Sequence, residues 1–215
     1  MAKNRFVTLK KTVIALIAAA ITSGCAGSKT AQAPLLAHFV LVPIELNVEG
    51  FNASGNAASF ENKRIRLSAK SVLPNDRQLE KKAFAALNSL FFMFVEFEIT
   101  NKSSKPFIYK PNYTHLRTQI GNYIRPSDYT AIYDILSKLY SEESPTPAMS
   151  EIRGLYFDSD ITIPPGASVK RLLVFERLSK EALGMEAGLT IDELYIGTDA
   201  VDMALPFKVK LYQEK

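Results

Sequence analysis

One segment of the sequence constrains the fold more than any other, because it predicts a strand buried on both of its faces. The even-numbered positions of residues 91–99 begin apolar and end in Glu96 and Glu98. The odd-numbered positions are all apolar: Phe91, Met93, Val95, Phe97 and Ile99. Alternation with a period of two indicates an extended strand. A strand that is covered on both faces at one end belongs in the middle of a sheet, so we expect core on both sides of this segment.

The segment that begins at residue 39 also alternates and predicts the first strand. Because Pro43 cannot donate a backbone hydrogen bond to a neighbouring strand, we expect this strand at a sheet edge. The alternation continues to residue 48, with one set of positions formed by Val40, Val42, Ile44, Leu46 and Val48.

Turn signals separate the remaining short strands. Gly121 and Asn122 predict a hairpin between residues 114–119 and 123–125. Pro165 and Gly166 fit the two central positions of a type II turn. Short alternating strands at regular spacing predict a mainly β protein built as an antiparallel β-sandwich.

One or two short helices interrupt the strands. The spacing of apolar residues predicts a helix within residues 77–87 and another that begins after Ser127, the expected N-cap. The second helix has an apolar stripe made of Tyr129, Ile132, Tyr133, Leu136 and Tyr140. We expect residues 141–147, which include two prolines, to form a polar loop.

The first 25 residues have the composition of an export signal. Four basic side chains precede an uninterrupted apolar run at residues 13–21, and Thr22, Ser23 and Gly24 come directly before Cys25, the only cysteine. As a helix, nine apolar residues rise roughly 13 Å, less than half of a ~30 Å hydrocarbon core. The segment therefore predicts a signal peptide and not a membrane-spanning helix.

The end of this signal resembles the lipobox of bacterial lipoproteins, in which the cysteine is acylated and becomes the new N-terminus. The resemblance implies a lipid anchor, palmitate included, on Cys25, and Ala26 in place of Asp resembles an outer-membrane destination. The family prefers Leu, Val or Ile where Thr22 stands, and an ordinary secretory signal is the alternative. The expected domains are a signal peptide at 1–24, a flexible tether at 25–37 and a folded domain at 38–215.

The positive charge of the chain belongs to the signal. Residues 1–24 contain four of the 26 basic side chains and none of the 22 acidic ones, so the mature chain is formally neutral. Nucleic-acid binding depends on clustered Lys and Arg, and the neutral domain therefore predicts no nucleic-acid partner.

The sequence contains no evident motif for catalysis, metal binding or cofactor binding. We therefore predict no catalytic residue, no metal ligand and no cofactor. The two histidines, His38 and His115, lack the spacing of a metal site. The Glu96 and Glu98 carboxylates are interpreted as the solvated end of a strand face, with acid–base work as the alternative. Asp158 and Asp160 have the first spacing of a calcium loop but are interpreted as a solvated turn.

The aromatic residues of the second helix are the candidate partner-binding residues. Tyr129, Tyr133 and Tyr140 would form an aromatic face for an envelope protein. The alternative is that they pack into the core beneath the helix.

Three stretches together resemble an immunoglobulin-like domain found in uncharacterised bacterial surface lipoproteins. They are residues 94–106, residues 163–176 and residues 194–207. The resemblance implies an immunoglobulin-like β-sandwich at the cell surface and carries no catalytic residue. We therefore expect a lipid-anchored, non-enzymatic protein with a binding or structural role in an envelope assembly. The alternative is a periplasm-facing hydrolase with a site of scattered carboxylates.

Overall fold

The computed structural model describes residues 37–121, 123–140, 143–196 and 199–213, which form twelve strands and three α-helices. The strands are β1 (Phe39–Pro43), β2 (Phe51–Ser54), β3 (Ala57–Glu61), β4 (Ile65–Val72), β5 (Met93–Asn101), β6 (Phe107–Tyr109), β7 (Thr114–Thr118), β8 (Tyr123–Ile124), β9 (Ile161–Ile163), β10 (Ser168–Phe175), β11 (Glu186–Ile196) and β12 (Asp199–Leu211). The helices are α1 (Lys82–Ser89), α2 (Tyr129–Leu139) and α3 (Thr146–Ile152). Short 3-10 helices occupy Arg77–Glu80, Pro111–Tyr113 and Lys180–Ala182. The predicted signal peptide, Cys25 and most of the expected tether lie outside the described residues.

The strands form two antiparallel sheets, which confirms the prediction of a mainly β fold. The five-stranded sheet has the order β10-β5-β4-β3-β2. The seven-stranded sheet runs β1-β12-β11, and the long strand β11 then pairs with β7 along one part and with β6 along another. Strand β8 extends the sheet beyond β7, and β9 extends it beyond β6.

The two sheets share one hydrophobic core. On β5 the odd-numbered residues point into it, and Phe97 is completely buried. Its ring lies 5.5 Å from the ring of Tyr109 in β6 and 6.0 Å from that of Phe157. These contacts join the middle of the five-stranded sheet to the seven-stranded one.

The three helices cover the other face of the five-stranded sheet at one end. Phe94 of β5 and Val174 of β10 are buried there against Phe84, Leu136 and Ile152 of the helices. Strand β5 pairs with β4 on one side and β10 on the other. The prediction of a central strand with core on both faces is therefore confirmed.

Two predicted turns are also confirmed. Strands β7 and β8 pair as a hairpin, with Leu116 opposite Ile124. At the other turn the amide of Ala167 donates to the Pro164 carbonyl oxygen over 3.1 Å, and Gly166 has a φ of +74°. A positive φ at this position is the defining feature of a type II turn and favours glycine.

The first strand is shorter than its alternation predicts, although its place at a sheet edge is confirmed. Strand β1 ends at Pro43 and pairs only with β12 among the described strands. Phe39 and Leu41 point into the shared core, whereas Leu46 and Val48 lie beyond the strand and are exposed. The two large odd-numbered side chains bury more apolar area here than the alternate valines would, and they determine the facing.

The helical predictions need three corrections. Residues 77–87 form a 3-10 helix and then α1, because Lys81 has an extended backbone conformation between them. The N-cap of α2 is Asp128 and not Ser127, since Asp128 Oδ1 accepts from the Ala131 amide over 2.8 Å. The expected loop at 141–147 ends early, because α3 begins at Thr146. Proline is tolerated in the first helical turn, where its missing amide has no partner to lose.

Candidate functional site

The outer faces of the two sheets differ in what covers them. Both hydrophobic clusters found among the described residues include the five-stranded sheet, and neither covers the outer face of the seven-stranded sheet. On that open face several large side chains are substantially exposed. Four of them are Ile108, Tyr113, Tyr123 and Tyr195, and together with the buried His115 we call them the tyrosine face.

Strand alternation places these residues outward. Ile108 lies between two core residues of β6, and its backbone partner in β11 is Tyr195. His115 precedes the core residue Leu116 in β7 and therefore points away from the core. Because successive side chains of a strand point to opposite faces, the core residues themselves dictate this outward row.

Aromatic rings and cations stack along the face. The ring of Tyr123 lies 4.0 Å from the imidazole of His115 in a stacked arrangement. The Arg125 guanidinium sits 5.5 Å from the Tyr123 ring centroid, and Lys110 Nζ sits 5.5 Å from that of Tyr113. Contacts of this kind hold long cationic side chains against the aromatic surface.

A β-bulge interrupts β11 at the centre of the face. The register with β12 shifts between Ile191 and Leu194, and Glu193 adopts a φ of +51°, a left-handed conformation that costs energy in a residue other than glycine. The amide of Glu193 donates to Asp202 Oδ1 over 2.9 Å. Bulges redirect side chains out of the regular alternation. Here the bulge adds Glu193 to the outward row. Asp192 lies beside His115 through regular alternation, because it shares a face with Thr190, the backbone partner of His115.

His115 is the buried element of the face. Only 3% of its side chain is exposed, and Nδ1 lies 3.4 Å from Asp192 Oδ2 without forming a hydrogen bond to any described residue. Burial lowers its pKa, and Arg117 and Arg125 lower it further, whereas Asp192 and a hydrogen bond with the Tyr113 backbone oppose the shift. The imidazole is therefore expected to be neutral at neutral pH.

The second carboxylate of the bulge interacts with an exposed tyrosine. Tyr195 Oη donates to Glu193 Oε2 over 3.3 Å, and this carboxylate raises the pKa of Tyr195. The phenol consequently keeps its proton and remains a hydrogen-bond donor. The face thus combines aromatic surface, cations and carboxylates, and its Tyr and Arg residues belong to the types that are enriched in protein-binding hot spots.

The structure places the sequence-predicted tyrosines elsewhere: Tyr129 and Tyr133 lie on α2, and Tyr140 is its C-cap. The rings of Tyr129 and Tyr133 stack with their centroids 6.0 Å apart, and Tyr129 is 46% exposed. Tyr133 and Tyr140 are half-buried against the hydrophobic cluster between the helices and the five-stranded sheet, which we call the helical cluster. Both of the readings made from the sequence apply in part, since Tyr133 and Tyr140 contact the core and Tyr129 faces solvent. Partner binding by these residues stays a prediction.

The carboxylates singled out in the sequence have local partners. Glu96 accepts from Gln78 Nε2 over 3.3 Å and pairs with Lys170 Nζ at 2.8 Å, while Glu98 accepts from the Ser168 hydroxyl over 2.9 Å. No group of three or more His, Cys, Asp or Glu side chains within the described residues is placed to hold a metal ion. His38 packs on Phe91, with the ring centroids 4.9 Å apart.

The tyrosine face was missed by reasoning from the sequence because its residues come from distant strands. Outward-pointing aromatic residues next to core positions were the available signal. The bulge at Asp192 and Glu193 gives no signal in the sequence, since it exists only in the pairing of β11 with β12.

Comparisons with known proteins add no family. No protein-family model matches the chain, and no curated protein or solved structure matches it. No helix among the described residues is both long enough and apolar enough to cross a membrane.

Proposed function

We propose that this protein is a lipid-anchored, non-enzymatic component of the bacterial cell envelope. Its immunoglobulin-like β-sandwich binds another envelope protein through the tyrosine face. The lipobox resemblance at Cys25 supports the anchor. The two antiparallel sheets with a shared core support the sandwich.

The observation that carries the binding role is the strained bulge at Glu193. A left-handed residue within a strand costs stability and persists where surrounding structure supports it, and such strain concentrates at functional sites. This one is two residues from the exposed Tyr195, and it adds the Glu193 carboxylate to the face. A regular strand would form the same sheet without this cost.

The chemistry of the face favours a protein partner. Tyr and Arg dominate binding energy at protein interfaces because they offer large, rigid contact area with a polar end. Cations and carboxylates alternate here over a short distance, as Arg125, Asp192 and Glu193 illustrate. A partner with complementary charges of both signs satisfies this pattern, and a uniform polyanion does not.

The pair formed by His115 and Asp192 is the observation that favours the alternative, a hydrolase. A carboxylate beside an imidazole is a common arrangement for a general base. The ring is almost fully buried, however, and Tyr123 stacks directly on it. A general base has to come within hydrogen-bond reach of its substrate. Because Tyr123 and burial keep a substrate away from the imidazole, the arrangement supports binding over catalysis.

The test is co-purification of envelope proteins with the full-length lipoprotein and its variants. The double variant Tyr113→Ala, Tyr195→Ala removes exposed rings and should abolish recovery of the specific partner while the melting temperature stays nearly unchanged. Tyr129→Ala is the matched control, since it removes a similarly exposed ring from α2. If Tyr129→Ala loses the partner and the double variant keeps it, binding belongs to α2 and the tyrosine face is excluded.

A further inference from the structure

A second site lies on the five-stranded sheet, on the outer face opposite the tyrosine face. It is a cleft of about 360 Å³ between the 3-10 helix Arg77–Glu80, the start of α1 and strand β10. The side chains that matter for its chemistry are Arg77, Lys81, Phe84, Glu96, Lys170 and Leu172. Its volume falls within the range of small-molecule pockets, about 300–1,000 Å³.

The cleft concentrates positive charge in a mature chain that is formally neutral. Arg77, Lys81 and Lys170 line it together with a single carboxylate, that of Glu96, whereas the neighbouring Arg171 places its guanidinium over Phe157 on the other face of the sheet. Neither Arg77 nor Lys81 forms an ion pair with any described residue. Low-dielectric walls focus the field of such a cleft and raise the local concentration of anions.

The single carboxylate organises the cations. Glu96 pairs with Lys170 at 2.8 Å and also accepts from Gln78, a residue of the 3-10 helix. The hydrogen bond with Glu96 raises the pKa of Lys170, which therefore stays charged at neutral pH. Glu96 is neutralised by this pairing and leaves the charges of Arg77 and Lys81 uncompensated.

The walls of the cleft include apolar surface. Phe84 of α1 and Leu172 of β10 are almost fully buried members of the helical cluster, and Leu155 at the rim is 43% exposed. An inorganic anion alone would leave the exposed side chain of Leu155 in water. A ligand that fits both features carries an oxyanion on an apolar body.

We propose that this cleft binds a small organic anion, a phosphate or carboxylate group joined to an apolar ring-sized body. The guanidinium of Arg77 and the ammonium of Lys81 bind the oxyanion, and the body lies against Leu155 at the rim, above the buried Phe84 and Leu172. Charge-assisted hydrogen bonds to phosphate or carboxylate are about twice as strong as neutral ones, and a guanidinium can bind either group through two parallel bonds. This site is independent of partner binding at the tyrosine face.

Phenyl phosphate is the probe, titrated into the full-length protein in neutral detergent at low salt and followed by calorimetry. Arg77→Ala, Lys81→Ala should weaken binding by about tenfold or more. The matched control Lys208→Ala, Lys210→Ala removes two exposed cations from the other sheet and should change the affinity less than about twofold. Glu96→Gln removes the negative charge and should strengthen binding severalfold, an effect opposite to that of damage to the fold.

NMR spectra locate the bound phenyl phosphate. We expect the amide signals of Gln78 and Gly154, two residues that line the cleft, to shift when it binds.

Several results would overturn the proposal. One is the absence of binding at millimolar phenyl phosphate, and another is equal affinity of the wild type and the Arg77, Lys81 variant. Equal binding of benzyl alcohol, which has the ring but no charge, would show that only the apolar wall binds. Shifts confined to residues outside the cleft would place the anion elsewhere on the surface.

Discussion

The imidazole of His115 lies beside the carboxylate of Asp192, with 3.4 Å between Nδ1 and Oδ2, and Tyr123 closes over the ring. Burial lowers the pKa of this histidine in the folded protein, so the unfolded chain binds the proton more tightly. Its contribution to stability is therefore fully present above the ordinary histidine pKa of about 6.5 and is lost as the pH falls below that value.

We expect the melting temperature to fall between about pH 7.5 and pH 5.5, and to fall less in His115→Gln. The comparison is made by calorimetry at both pH values. His38→Gln is the control for the second histidine, whose pKa is also lowered by burial. An equal fall in the wild type and in His115→Gln would show that the buried imidazole does not titrate in this range.

The contact between Phe97 and Tyr109 gives the second prediction, which concerns the shared core. Phe97→Ala should lower the free energy of unfolding by about 3–5 kcal/mol, because it leaves a cavity between the two sheets. Lys208→Ala changes an exposed residue of β12 and should stay within about 0.5 kcal/mol. Denaturant unfolding of both variants checks this, and similar losses would contradict the assignment of the core.

The third prediction separates the two candidate caps of α2. Asp128→Ala removes the acceptor for the Ala131 amide and should cost about 0.5–2 kcal/mol. Ser127→Ala leaves this bond in place and should cost less, since Ser127 contacts Val174 through its backbone amide. Thermal unfolding of the two variants decides between the caps. A larger loss of stability in Ser127→Ala than in Asp128→Ala would show that Ser127 is the N-cap.

Strand β5 could be predicted from the sequence because burial of a central strand is written in its own residues. Both of its faces are apolar near Phe92, and one face becomes acidic at Glu96. The edge position of β1 also followed from a local feature, because Pro43 has no backbone amide to donate to a neighbouring strand. Local chemistry dictated these features, and the structure agrees with them.

The tyrosine face and α3 could not be predicted in this way. The face depends on which strands flank β11 and on a bulge in its pairing with β12, and both are long-range relationships. In α3, Pro145 and Pro147 indicate a loop when the sequence is read locally. They stand at the helix start, where Ala148, Met149 and Ile152 gain burial beneath α1. Tertiary packing decided this segment.

The fourth prediction concerns the anchor. Wild-type protein should fractionate with membranes, and its intact mass should equal that of a chain starting at Cys25 plus acyl groups. Cys25→Ser should not have the mass of this acylated chain. Thr22→Leu restores the residue that the lipobox family prefers and should be processed at least as completely. A soluble wild type, or Cys25→Ser that is equally membrane-bound and of matching mass, would contradict lipidation.

Site-specific photocrosslinking in intact cells tests the central claim, that the tyrosine face binds an envelope protein, most directly. A photoreactive phenylalanine analogue replaces Tyr195 on the face or, as the matched control, Leu139 on α2, which is 43% exposed. We expect a single discrete crosslinked protein at position 195, none at position 139, and loss of the adduct when Tyr113→Ala is added. An adduct at position 139 alone, or none at either position, would contradict the account.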